Sequence, residues 1–280
     1  MNPWLHRCAL LMVVLAMAAI VAGALITSTG IAARQAGSTV PPLVDVAVHR
    51  DLAIALLVFA IGLAIWISSA PTRGWLRAVA WTGVATLVLD GIVGWSTPPL
   101  AATAGVLHAL LAQLFFSLSV ALAAGTSAGW NDVPELVDGS SKPLLRPLAM
   151  ATPPVVFLQI ALGAAYRHEM TSVMPHMAVA MAVAFAALIE SSVVLQNFQR
   201  PTSLRRAAAA LISIVLTQVC LGIAAFLMLL LNYAGAFYFV AITIAHVLAG
   251  ASTLAASVVL AMQIWRCVRP RAAGVASSQV

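Results

Sequence analysis

Eight long apolar runs are the feature that most constrains what this chain can fold into. They cover residues 8–32, 49–70, 75–97, 101–124, 148–167, 173–197, 207–231 and 236–265. A helix needs about 20 apolar residues to cross a bilayer, and each run is long enough. Hydrophobic residues make up 62% of the 280 residues and charged residues 8%, which is too apolar for a soluble fold of this size. The sequence therefore predicts an all-α membrane protein with eight transmembrane helices.

Basic residues fall mainly in alternate polar segments. Eleven of the fourteen lie at the termini and in alternate loops: Arg7, Arg73, Arg77, Lys142, Arg146, Arg200, Arg205, Arg206, Arg266, Arg269 and Arg271. The other three are Arg34, Arg50 and Arg167. Because lysine and arginine are enriched in cytoplasmic loops, this pattern predicts cytoplasmic N- and C-termini. It also explains the net charge of +6 without a nucleic-acid partner. The first run is longer than the apolar core of a signal peptide, and we expect it to be retained.

The longest polar interruption divides the chain into two similar halves. We predict an N-terminal four-helix half at 1–124, a cytoplasmic linker at 125–147, a C-terminal four-helix half at 148–265 and a cytoplasmic tail at 266–280. A Gln-x-x-Leu-Gly pattern occurs at Gln159 to Gly163 and again at Gln218 to Gly222, while the first and third runs keep only a glycine, assigned to Gly23 and Gly91. Four helices per half preserve direction, so the sequence predicts two pseudo-equivalent four-helix bundles repeated in parallel.

Each even-numbered run carries one histidine in its outer part, followed four residues later by a small residue. The pairs are His49 and Ala53, His108 and Ala112, His176 and Ala180, and His246 and Gly250. Ionisable residues inside a bilayer are costly and indicate a functional site. Residues four apart share one helix face, so a flat group could approach the backbone below each imidazole. Haem iron accepts imidazole as an axial ligand, and all four histidines are candidate metal ligands.

Other interpretations of these polar residues stay open. Zinc or copper also binds imidazole, although no acidic or cysteine cluster is near in the sequence, and a histidine can simply bond to a neighbouring helix. Arg50 and Arg167 could pair with haem propionates or extend towards lipid headgroups. Asp90 is interpreted as a proton relay or a partner for a neighbouring helix. Glu190 is expected to be solvated at the interface.

Four segments resemble the haem A synthase family, and the likeness extends over nearly the whole chain. They are Gly23 to Gly30, His49-Arg50, Leu107 to Ala112, and Gln159 to His168. The resemblance implies an oxidoreductase of the cell inner membrane that converts haem O to haem A, oxidising the C8 methyl group to formyl for cytochrome oxidase assembly. It further implies that haem O is the substrate and that haem O synthase or oxidase assembly factors are partners.

The resemblance also divides the site residues. His176 and His246 would hold a haem b cofactor in the second half, with Arg167 and Arg50 as further cofactor-binding residues. His49 and His108 would serve the substrate as catalytic residues. Members of the family typically have a glutamate three residues before the histidine of the second helix, where this chain has Val46. The nearest carboxylate, Asp45, is the candidate replacement. The alternative is a non-catalytic protein that binds haem b for electron transfer or haem delivery.

Overall fold

The structure is a computed structural model that describes residues 2–35, 44–95, 102–231, 233 and 237–269. The long helices are α1 (Pro3–Gln35), α2 (Val46–Ser69), α3 (Gly74–Trp95), α4 (Ala102–Thr126), α6 (Leu145–Arg167), α7 (Val173–Asn197), α8 (Thr202–Leu230) and α9 (Phe237–Cys267). A single turn, α5 (Ala128–Asn131), follows α4. All eight long helices are long and apolar enough to span a membrane, which confirms the predicted helices and indicates a multi-pass membrane protein.

The linker is not wholly irregular. Strand β1 (Val137–Asp138) pairs in parallel with β2 (Val268–Arg269), which directly follows α9. The sequence did not predict this contact, because two-residue strands have no detectable periodicity and the partners are more than a hundred residues apart. The contact fixes the segment between α4 and α6 against the end of the last helix. Arg271 and the rest of the tail lie outside the described residues.

The long helices pack as two rings of neighbours. Helix α1 contacts α2 and α4, and α3 contacts both α2 and α4; the same relations connect α6, α7, α8 and α9. Helices α1 and α4 of the first ring contact α9 of the second, and α4 also contacts α6. Helix α9 therefore contacts helices of its own ring and of the first ring. This agrees with its large number of buried small residues.

In α2, α7 and α8 the buried residues are confined to one part of the helix. Buried residues lie between positions 56 and 67 on α2, 183 and 194 on α7, and 204 and 215 on α8. Residues 46–55, 173–182 and 216–230 of the same helices contain no buried residue. The histidines of α2 and α7 lie in these loosely packed stretches. On α2 and α7, the stretches that carry the histidines are therefore covered less closely by other helices than the opposite ends.

Gly125 allows the closest helix approach at the tightly packed end. A Cβ atom there would overlap the ring of Trp75 and lie 2.7 Å from the side chain of Leu76. Small residues permit such approaches between membrane helices. We expect Gly125→Leu to destabilise the fold by about 1–3 kcal/mol, the usual cost of overpacking. The melting temperature in detergent should fall relative to Gly62→Leu, since a Cβ at Gly62 meets nothing within 4 Å. Equal melting temperatures would contradict this packing.

Candidate functional site: two facing histidine pairs

The first pair consists of His49 and His108. His49 lies in the first turn of α2 and His108 in the second turn of α4. Their ring centroids are 6.0 Å apart and the ring planes cross at 88°. Both side chains are partly buried and neither is sealed off by packing. Two helices that are not consecutive in the chain therefore bring these predicted site residues together, with the edge of one ring towards the face of the other.

The second pair, His176 and His246, repeats this geometry. His176 lies in the first turn of α7 and His246 in the third turn of α9. Their centroids are 6.2 Å apart and their planes cross at 79°. Both imidazoles are again partly buried. The structure thus brings the four predicted ligands together as the two pairs that the sequence indicated.

Each imidazole packs against a glycine of the preceding long helix. The distances from an ideal Cβ position to the ring Cε1 atom are 3.4 Å for Gly23 and His49, 3.0 Å for Gly94 and His108, 2.8 Å for Gly163 and His176, and 3.0 Å for Gly222 and His246. The distance at Gly23 is that of ordinary van der Waals contact, whereas real Cβ atoms rarely approach as closely as the other three, so the lack of a side chain matters most at Gly94, Gly163 and Gly222. In α3 the glycine beside the imidazole is Gly94; Gly91, the glycine assigned to the repeat pattern, meets nothing within 4 Å.

Three of the four imidazoles each contact a backbone carbonyl at the equivalent position of the preceding long helix. The Nδ1 atoms of His108, His176 and His246 lie 3.4, 3.2 and 3.2 Å from the carbonyl oxygens of Asp90, Gln159 and Gln218. Each carbonyl belongs to the residue four positions before the glycine. An N–H that donates from Nδ1 leaves the Nε2 lone pair free, which is the tautomer that binds a metal through Nε2.

The side chains of the residues four positions before the glycines also contact the imidazoles. Gln159 Nε2 lies 3.0 Å from Nδ1 and 3.3 Å from Nε2 of His176, and Gln218 Nε2 lies 3.4 Å from His246 Nε2. The amide N–H groups can donate to these lone pairs, so a metal at Nε2 would displace the amide. In the first ring the position is held by Asp90, whose Oδ1 lies 2.8 Å from His108 Nδ1. The sequence pattern was visible, but not its role as the partner of the histidines.

Asp45 is positioned differently from Asp90. It is the N-cap of α2, and its Oδ1 accepts a hydrogen bond of 2.9 Å from the backbone N–H of Ala47. The carboxylate is exposed, and capping a helix in this way stabilises its first turn. Helix α2 does begin after Asp45, as a substitute for the family glutamate requires. Within the part of the chain that the structure describes, the carboxylate nearest the first pair is that of Asp90.

The two predicted propionate-binding arginines have different surroundings. The guanidinium of Arg50 lies 4.9 Å above the ring of Trp95, a cation–π contact. Arg167 Nη2 donates to Ser28 Oγ of α1 at 3.0 Å, and Thr243 Oγ1 of α9 lies 3.2 Å from the same hydroxyl. Ser28 is 1% exposed. Arg167 therefore lies at the contact between the two helix rings.

The remaining histidines stand outside both pairs. His168 caps the end of α6, and its ring fills the space beside Gly105 of α4, where a Cβ would overlap it. His6 is near the start of α1, with Nδ1 3.2 Å from Thr126 Oγ1 at the end of α4. His168 thus contributes to the contact between rings, and His6 lies at the opposite end of the molecule from the pairs.

The expectation that Glu190 is solvated was wrong. Its side chain is 0% exposed, and Thr152 Oγ1 of α6 donates to Glu190 Oε2 at 2.8 Å. Glu190 lies towards the cytoplasmic end of the predicted helix, a position that suggested contact with solvent. The structure turns this face of α7 towards α6 in the tightly packed region, where a single hydroxyl partner replaces solvent.

The two pairs have the spacing that a single metal ion between two imidazoles requires. A transition metal binds an imidazole nitrogen at about 2.0–2.1 Å, so nitrogens on opposite sides of the metal are about 4 Å apart and the ring centres about 6 Å apart. The observed centroid distances are 6.0 and 6.2 Å. The described residues contain no group of three or more His, Cys, Asp or Glu side chains that could hold a metal. A pair of imidazoles matches the two axial positions of a haem iron, whose other ligands belong to the macrocycle.

Comparisons with known proteins assign no family. No protein-family model matches the chain, and no curated protein matches it either. The functional interpretation therefore depends on the two histidine pairs and on their surroundings.

Proposed function

We propose that the protein is a membrane oxidoreductase similar to haem A synthase. The observation that carries the proposal is the pairing of four intramembrane histidines at 6.0 and 6.2 Å, each against a glycine. A buried histidine used only for packing needs no second imidazole opposite it. Two such pairs, on helices in corresponding positions of two rings, fit two haem groups better than they fit two isolated structural contacts.

The two pairs take different roles in this proposal. His176 and His246 hold a haem b cofactor, and His49 and His108 serve haem O. Bound haem b supplies a one-electron redox centre. Oxidation of a methyl to a formyl group takes one oxygen atom from water and releases electrons and protons in equal numbers, with an external electron carrier as acceptor. The chain itself orients the imidazoles through the carbonyls of α3, α6 and α8, and Arg167 and Arg50 supply positive charge near the histidine end.

The helix arrangement supports the membrane orientation that this function needs. The described arginines at positions 7, 73, 77, 146, 200, 205, 206, 266 and 269 lie near helix ends that carry none of the four paired histidines. By the positive-inside preference those ends face the cytoplasm, which orients both histidine pairs towards the outer leaflet of the inner membrane. The matching glycine and carbonyl positions in α3, α6 and α8 support two pseudo-equivalent halves.

A haem conversion assay tests the enzyme proposal. The chain is produced in cells that make haem O but lack haem A, and extracted haems are separated by chromatography and identified by mass. We expect haem A or its hydroxylated precursor with the wild type. His108→Ala should abolish the product because it removes one member of the first pair, while the second pair remains as a check on folding. Recovery of only haem O and haem b from a correctly folded wild type would rule out the enzyme.

A non-catalytic haem b protein is the second candidate function. One observation favours it: Val46 replaces the family glutamate, and the adjacent Asp45 uses its carboxylate to cap α2. Such a protein would keep bis-histidine haem b in one or both pairs and would transfer electrons or deliver haem during oxidase assembly. The same extraction distinguishes it, since haem b would then be bound without conversion of haem O.

A further inference from the structure

The four histidines are held unequally. The position four residues before each supporting glycine is occupied by Ala19 in α1, Asp90 in α3, Gln159 in α6 and Gln218 in α8. Three of these side chains contact the imidazole of the following long helix, at 2.8 to 3.4 Å. Alanine has no polar group to offer. In the first pair, His108 therefore has a charged partner at this position, whereas His49 has no polar partner there.

His108 has a carboxylate partner in a nearly dry environment. Asp90 is 7% exposed, and its Oδ1 lies 2.8 Å from Nδ1 of the imidazole, an ion-pair contact whose geometry is not that of a hydrogen bond within the described residues. A carboxylate beside the non-ligating nitrogen fixes the orientation of a metal-binding imidazole and raises its basicity. Among the described residues, the recorded hydrogen-bond partners of the second pair are neutral amides and carbonyls.

His49 has the opposite arrangement. Its Nδ1 is buried and forms no hydrogen bond within the described residues. The ring is also turned differently: Nε2 is the ring nitrogen closest to Gly23, 3.8 Å from an ideal Cβ position, whereas Nδ1 faces the glycine in the other three cases. An imidazole without a partner is not fixed in the orientation that ligation through Nε2 needs.

We propose that Asp90 is the positioning residue of the first pair and makes His108 its permanent axial ligand, while His49 is the ligand that exchanges. The inference rests on the proposed function, because it takes haem as the ligand of the pairs. The first pair then holds haem from the α4 side and opens a coordination position on the α2 side to a small exogenous ligand. In the second pair, both imidazoles are held by backbone carbonyls, and the haem there does not bind an exogenous ligand.

Carbon monoxide binding to the reduced, haem b-loaded full-length protein tests this asymmetry. We expect carbon monoxide to bind only the haem of the first pair, which is half of the total haem. His49→Ala should keep that haem and its carbon monoxide binding, and His108→Ala should lose it. The haem of the second pair reports folding in every variant. Equal loss of haem in His49→Ala and His108→Ala, or no carbon monoxide binding by the wild type, would overturn the proposal.

Variants of the partner positions test the role of Asp90 directly. Asp90→Asn should weaken haem b binding at the first pair by about 10- to 100-fold, as loss of an outer partner does in metal sites, and should raise the reduction potential of that haem. Asp90→Glu should recover part of the affinity. Ala19→Asp gives His49 an equivalent carboxylate and should reduce carbon monoxide binding. Unchanged affinity and potential in Asp90→Asn would overturn the proposal.

The double variant Ala19→Asp with Asp90→Ala should exchange the two roles. In that background His108→Ala should retain the first haem and His49→Ala should lose it. If His108 remained the required ligand in this background, the carboxylate would not determine which histidine is the permanent ligand. All of these measurements use added haem b and need no haem conversion, so an asymmetric first pair without haem A production overturns only the enzyme assignment.

Discussion

His246→Ala is expected to remove the haem of the second pair completely. His246 faces His176 with centroids 6.2 Å apart, and both imidazoles are fixed by carbonyls of the preceding helix. Loss of one axial ligand leaves the iron with a single bond to the protein and opens the site beside Gly222. The absorption spectrum of the purified protein should lose the low-spin bis-histidine contribution of the second pair, and the haem to protein ratio should fall by the share of one site.

The control for this change is His6→Ala. His6 also lies on a membrane-spanning helix and contacts another helix through Thr126, yet it lies at the opposite end from both pairs. Its replacement should leave haem content and spectrum unchanged. If His246→Ala also retains the wild-type spectrum while remaining folded, the assignment of the second pair as axial ligands is wrong.

The fold was largely predictable because membrane helices are specified by length and hydropathy. Each expected run corresponds to one of the long helices, and α7 begins and ends at the predicted residues, 173 and 197. The ends of other helices differ by a few residues, since caps such as Asp45 and the polar turns at helix starts do not affect an average over about 20 residues. The strand pair β1 and β2 could not be predicted, because it depends on a tertiary contact.

The candidate site was predictable as residue types and spacing, and less so as contacts. Repeated histidines on alternate helices indicated the pairs before any geometry was known. Which glycine contacts an imidazole depends on how the helix is rotated. The third run keeps only the glycine of the Gln-x-x-Leu-Gly pattern, so the pattern could not distinguish Gly91 from Gly94. The spacing from Asp90 to Gly94 equals that from Gln159 to Gly163, a signal that would have identified the correct glycine had the repeat been aligned on all four helices.

The choice between these glycines leads to the second large expected effect. A Cβ at Gly94 would lie 3.0 Å from both Cε1 and Nδ1 of His108. In Gly94→Leu the leucine must push the imidazole away from Asp90, because Asp90 and Gly94 lie one turn apart on the same face of α3 and both contact the ring. We expect loss of haem from the first pair, with an affinity decrease of about 100-fold or more, at least as large as removal of an outer partner. Titration with haem b measures it.

Gly91→Leu is the matched control for this variant. It introduces the same side chain into the same helix three residues earlier, where a Cβ meets nothing within 4 Å. Helix propensity improves equally in both variants, so any difference between them arises from the contact with His108. The first pair should bind haem normally in Gly91→Leu, and the second pair should be filled in both variants. Equal haem affinity in the two would show that the glycine of α3 does not shape the site, and the imidazole would then have to be held by Asp90 alone.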